Sequence, residues 1–143
     1  MGVKTAVIDN SAAFGFSIMI TSSFGALDKL AGSPSLADIF GFAMGAAAAF
    51  TVLQAATTKG FRRRPGAGPR EVDLLGTALG ILSVALGLGA AVVAGLTLPA
   101  GAAWATGAFL AAMAFMLGQA LLIMLAAQLE RLRGDPGADD EKE

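Results

Sequence analysis

Asn10, Ser17 and Thr21 recur at spacings of seven and four, and Thr51, Gln54 and Thr58 at three and four. Each set therefore falls on one face of a helix. Gln119 adds a single amide near the middle of a later apolar stretch. In apolar surroundings, neutral oxygens of this kind serve one of two ends. They line a narrow wet path and replace part of a cation's hydration shell. Alternatively they act as packing contacts, with Ser or Thr returning its hydroxyl to its own helix and Gln bonding across helices for about 0.6–2 kcal/mol. The sequence leaves both open. For Gln54 and Gln119 the stakes are highest, because an amide in hydrocarbon without a partner costs several kcal/mol.

Other chemistry is set aside by composition. The chain has 143 residues with no Cys and no His, which removes thiol chemistry, disulfides and most transition-metal sites. No metal site and no cofactor is expected. The net charge of −1 offers no basic field for nucleic acid. No phosphate-binding loop, nucleophile elbow or HExxH pattern occurs, and the Gly87–Gly89 pair lies inside an apolar helix with no strand before it. The chain is not expected to be an enzyme, and no catalytic residue is assigned.

The elements that must position the polar residues follow from where charges fall. Charged residues make up 15% of the chain, against about 25% in a soluble domain. Apolar stretches lie between Asp9 and Asp28, Asp38 and Lys59, and Asp73 and Glu130. At roughly 17–25 residues per span, the first two hold one helix each and the third holds two. The sequence therefore predicts an all-α membrane protein of four transmembrane helices over about 10–28, 38–58, 73–97 and 101–129, forming one domain over 1–133. Asn10, Ser33 and Asp73 are the expected helix boundaries or caps, and Pro34 and Pro99 mark turns. Lys4 followed by Asp9 is a poor leader for a cleaved signal peptide, so the first span is expected to be retained.

Orientation follows from the basic residues. Lys4, Lys59, Arg62, Arg63, Arg64, Arg70, Arg131, Arg133 and Lys142 all fall on one side of the four-span reading, and Lys29 alone falls on the other. This predicts a multi-pass protein of the cell membrane with both termini cytoplasmic. Asp9, Asp28, Asp38 and Asp73 sit at span ends, and no ionisable residue lies near a span's middle, which disfavours a proton-coupled pump. Trp104 is the sole Trp and Tyr is absent, so Phe24, Phe40 and Phe61 are expected to supply what aromatic belt there is.

Small residues mark the packing faces. Gly41 and Gly45, continued by Ala49, repeat the small-xxx-small pattern. Gly76, Gly80, Ser83 and Gly87, continued by Ala90, Ala91 and Ala94, form a groove on the third span. Such faces let backbones approach in lipid, either within one bundle or between copies. A shift of 65 positions superposes Pro34 on Pro99, Ala49-Phe50 on Ala114-Phe115, Gln54-Ala55 on Gln119-Ala120, Gly15 on Gly80 and Val7 on Val72. Two tandem hairpins in parallel repeat would explain it, with the relating axis along the membrane normal.

The linker Lys59–Arg70 is basic and broken by Gly and Pro. It enforces topology, and Arg62, Arg63, Arg64 and Arg70 are candidates to contact anionic lipid. Residues 134–143 form an acidic tail expected to be disordered. Taken together, the residues suggest a small homo-oligomeric channel or passive facilitator for ions or small solutes, embedded in the lipid bilayer. Its candidate path is lined by Asn10, Ser17, Thr21, Thr51, Gln54, Thr58 and Gln119, with Asp28 and Asp38 concentrating cations at the outer mouth. Two alternatives stand beside it: a non-transporting subunit that binds a membrane-protein partner through its Gly/Ala-rich faces, and a small alternating-access transporter.

Overall fold

The computed structural model describes the backbone of residues 2–58 and 72–133, and the side chains of residues 13–56, 80–125 and 128. Four helices follow in order: α1 (Gly2–Ala31), α2 (Leu36–Thr58), α3 (Val72–Thr97) and α4 (Ala100–Arg133). Three are long and apolar enough to cross a membrane, over Leu36–Ala56, Gly80–Thr97 and Ala100–Leu125. Within its described residues, α1 does not reach the same apolar character. Ser17, Thr21, Ser22 and Ser23, followed by the Asp28–Lys29 pair, dilute its Phe and Ile content. The basic linker, its four arginines and the acidic tail lie outside the described residues, as do the side chains of Asn10, Thr58 and Gly76.

Helix boundaries depart from the expectation at Asn10 and Ser33, while α3 begins at Val72, beside Asp73. Asn10 lies inside α1. Between Val3 and Ala13 no Gly or Pro interrupts the chain, so the helix continues past the charge at Asp9. At 30 residues α1 is about 45 Å long and α4, at 34, about 51 Å. Both therefore exceed the roughly 30 Å hydrocarbon thickness.

α1 ends where Gly32 turns to a φ of 88°, the left-handed position that favours glycine after a helix. Ser35, not Ser33, then caps α2. Its hydroxyl accepts the Asp38 N–H at 3.3 Å, while the Asp38 carboxylate accepts from the Ser35 N–H at 2.9 Å and from the Ser35 hydroxyl at 2.6 Å. This is a reciprocal capping box with Asp in the usual place of Glu. The connection from α3 to α4 is tighter. The Leu98 N–H closes the last turn onto the Ala94 carbonyl, and the Pro99 carbonyl accepts from Ala102 and Ala103. Pro99 lacks an N–H where a helix start leaves that donor unpaired anyway.

Around the bundle the helices run α1, α3, α4, α2. α4 approaches all three others closely, α1 lies against α3 and α4, and α2 packs on α4. α1 and α2 have little or no close backbone approach, and aromatic rings span the gap between them. The core is built from small residues. Of twelve buried hydrophobic residues among those described, seven are Ala: Ala49, Ala91, Ala94, Ala103, Ala108, Ala111 and Ala112. Leu, Ile, Phe and Met are displayed outward instead, including Phe14, Leu36, Phe40, Met44, Ile81 and Leu96. Large apolar groups on the outside and alanines inside would be costly in water, whereas lipid solvates the former and close backbone approach rewards the latter.

Two clusters fill the interior. Near the turns, Leu27, Phe42, Ala103, Trp104 and Ala108 pack together, with Phe24 against them. Further along, Met19, Ala91, Ala111 and Phe115 form the second, and Ile20 touches both. The aromatic-belt expectation changes accordingly. Trp104 is buried, 5.1 Å from the Phe24 ring and 6.2 Å from that of Phe42. Phe40 is exposed at a helix end, and Phe61 is outside the described residues.

Candidate functional site

Packing dictates which polar groups face inward. Ser17 and Thr21 follow Phe16 and Ile20 by one residue, which rotates them off the core face and leaves them exposed on α1. Thr51 and Gln54 are exposed on α2. The Thr51 hydroxyl donates to the Ala47 carbonyl at 3.1 Å, so it is held by its own helix. Gln119 is half-buried on α4. The described candidate path residues are therefore gathered mainly on the outer surface of the α1 and α2 side. Among the described residues they do not converge on a shared interior channel within one copy.

The buried hydroxyls are elsewhere. Ser23 and Ser83 are fully buried, and neither was singled out as a path residue. The Ser23 hydroxyl lies 3.5 Å from the Met19 sulfur. Ser83 lies under α4, where a Cβ at Gly118 would sit 3.5 Å from its hydroxyl oxygen.

Phe16 lies between a ring of α2 and a ring of α4. Its ring meets Phe50 edge-on at 5.0 Å and Phe115 at 5.6 Å. Phe50 and Phe115 are the pair related by the 65-residue shift, and Gln54 and Gln119 each follow one turn later. Each amide therefore follows, by one helical turn, a phenylalanine that touches Phe16. The helix pairings around them are unequal, because α3 and α4 form a close hairpin while α1 and α2 do not.

The small-residue faces separate into used and open positions. A Cβ at Gly45 would collide with the Ala105 carbonyl of α4, and one at Gly41 would lie 3.6 Å from the Ala105 methyl. A Cβ at Gly87 would stand 2.7 Å from Met19 Cγ and 2.9 Å from the Ala111 carbonyl oxygen, so three helices converge there. Among the described residues Gly80 has no such neighbour within 4 Å. Sequence reasoning missed Gly95, Gly107 and Gly118, which abut Leu27 and Leu30, Leu27 and Ala94, and Leu86 and Ser83 respectively. The signal was present: Gly87, Ala91 and Gly95 repeat at four, as do Ala103, Gly107 and Ala111.

At the turn end, the Asp38 carboxylate is engaged by Ser35 and acts as a helix cap. Asp28 is half-buried and Lys29 exposed in the last turn of α1. Among the described residues no group of three or more potential metal-ligating side chains is assembled. Comparison with known proteins finds no matching family model, no matching curated protein and no matching solved structure.

Proposed function

We propose that this chain is an oligomeric membrane channel or passive facilitator for ions or small solutes, with its path between copies. One observation carries this reading. Ser17, Thr21, Thr51 and Gln54 lie on the outside of the bundle while Trp104, Met19, Leu27 and alanines fill its interior. Polar groups at membrane depth gain from water or from a neighbouring copy, and a path between copies provides both. The bundle is assigned to the cell membrane with both termini cytoplasmic, and the arginine-rich linker to contact with anionic lipid.

The test is ion flux through liposomes containing the purified chain, beside the Gln54→Leu/Gln119→Leu double variant at equal incorporation. Flux in the unmodified chain that falls about tenfold or more in the double variant supports a conduit beside the glutamines. Flux that survives unchanged removes them from the path. A second reading, a non-transporting subunit bound to a membrane-protein partner, is favoured by the open surface at Gly80. It predicts no flux from any preparation and poor stability of the chain expressed alone. The alternating-access reading gains least, because unequal helix pairing departs from two equivalent hairpins.

A further inference from the structure

We propose that two copies of this chain meet through α1 at Gly25, side by side and parallel, with Asp28 of each paired to Lys29 of the other. This deepens the oligomer reading by naming one contact between copies, and it rests on that reading but not on transport.

The way α1 packs leaves one of its faces outward. Phe16, Met19, Ile20, Ser23, Phe24 and Leu27 turn toward the other helices. Gly25 lies on the opposite side, exposed, and a Cβ there would meet nothing within 4 Å among the described residues. At about 100° per residue, Asp28 lies roughly 60° to one side of Gly25 and Lys29 roughly 40° to the other, both about one turn further on. Asp28 is half-buried and Lys29 exposed, and among the described residues neither makes an ion pair within the chain. Local helix chemistry accounts for only one of them. A cation in the last turn complements the helix dipole, whereas the carboxylate of Asp28 opposes it. Thr21, one turn before Gly25, is exposed as well. The Thr51 and Thr97 hydroxyls return to carbonyls of their own helices at 3.1 and 2.7 Å, but among the described residues no such bond forms at Thr21.

Symmetry joins these features. Copies inserted in one orientation are related about the membrane normal, and a two-fold axis in that direction sets the two α1 helices parallel. With Gly25 facing the axis, the flank that carries Asp28 on one helix lies beside the flank that carries Lys29 on the other. Both pairs are then of opposite sign, and no like charges meet. Glycine allows close backbone approach, which in lipid supplies the association energy that apolar side chains cannot. Exposed Phe14 and Ile18 lie further down the same face and hold the helices apart there, so the contact is confined to the half near the turns. α3 also has an open glycine, Gly89, but no charged residue over 80–97 to orient a second copy.

The test uses the full chain carrying either of two fluorescent tags, co-expressed in one membrane at equal incorporation. Asp28→Lys makes both flanks basic and Lys29→Asp makes both acidic. Association between copies of either variant alone, read by energy transfer, should weaken about tenfold or more. Mixing the two variants restores opposite signs on both flanks and should recover about half or more of the unmodified signal. Gly25→Cys should also form an intermolecular disulfide under mild oxidation, in a chain with no native Cys. Leu96→Cys should not, although it is exposed beside Gly95, which abuts Leu27 and Leu30 at that level. Should a charge variant fail to accumulate, Gly25→Leu replaces it, since its open surroundings spare the fold, and association must still fall. Association that survives in each single charge variant, or that mixing fails to restore, overturns the proposal. Counting copies of the unmodified chain by stepwise photobleaching separates the two ways to fail. Several copies with indifferent charge variants overturn the α1 contact alone, whereas single copies throughout overturn the oligomer reading with it.

Discussion

Gly45 and Gly80 are indistinguishable as members of small-residue patterns, yet their surroundings are opposite. A methyl group at Gly45 would meet the Ala105 carbonyl, which is backbone and cannot step aside, whereas Gly80 has open space. Gly45→Ala is therefore expected to destabilise the bundle by about 1–3 kcal/mol, read as a lowered unfolding midpoint in detergent. Gly80→Leu should leave that midpoint unchanged, so any loss of self-association by light scattering would locate Gly80 between copies. Ser35→Ala removes the cap of α2 and should cost about 0.5–2 kcal/mol in the same unfolding measurement, with Ser33→Ala near neutral. The spacing of the glycines was legible in the sequence, because close packing in lipid demands small residues four apart. Their partners were not, since Ala105 and Met19 lie on other helices and no local pattern couples them. Ser35 was readable in principle: the Ser35–Asp38 spacing is that of a capping box, and Ser33 lacks an acidic residue at the matching position.

At the scale of elements, α2, α3 and α4 were read closely because long apolar runs admit few alternatives. α1 shows where such reading fails. A charge such as Asp9 marks where water begins and not where a helix ends, so the span estimate of 10–28 became a helix of Gly2–Ala31. The same reasoning applies to α4, which continues through Gln128 to Arg133 past its apolar part. Whether α1 crosses the bilayer is decided by its two charged ends. Lys4→Cys and Lys29→Cys, each the sole thiol of its variant, should react with a membrane-impermeant maleimide from opposite sides of sealed vesicles. Reaction of both from one side would make α1 a surface or re-entrant helix. The tandem-repeat expectation meets the same limit. The matched Phe50 and Phe115 both touch Phe16, but a pattern of identities carries no information on how tightly each hairpin closes.

For the whole molecule the governing fact is the distribution of size: alanines are most of the buried hydrophobic residues described, around a few large ones such as Trp104 and Met19, while many Leu, Ile, Phe and Met side chains face outward. Lipid accommodates the outer side chains at no cost, so any assembly between copies must draw on something other than their burial. Among the described residues Thr51 and Gln54 are the exposed Thr and Gln side chains of α2, and they share its outward face with Ala43 and Ala47. If copies meet there, Thr51→Cys should form intermolecular disulfides under mild oxidation in native membranes. Val93→Cys, on an exposed part of α3 away from that face, should form few. The same Thr51→Cys protein, reconstituted in liposomes, should lose flux when a charged thiol reagent is added, while Val93→Cys should not. Cross-linking at Thr51 without loss of flux would identify a contact between copies that lies away from any path. Equal cross-linking at both positions would mean that collisions in the bilayer, and not an oriented interface, bring the copies together.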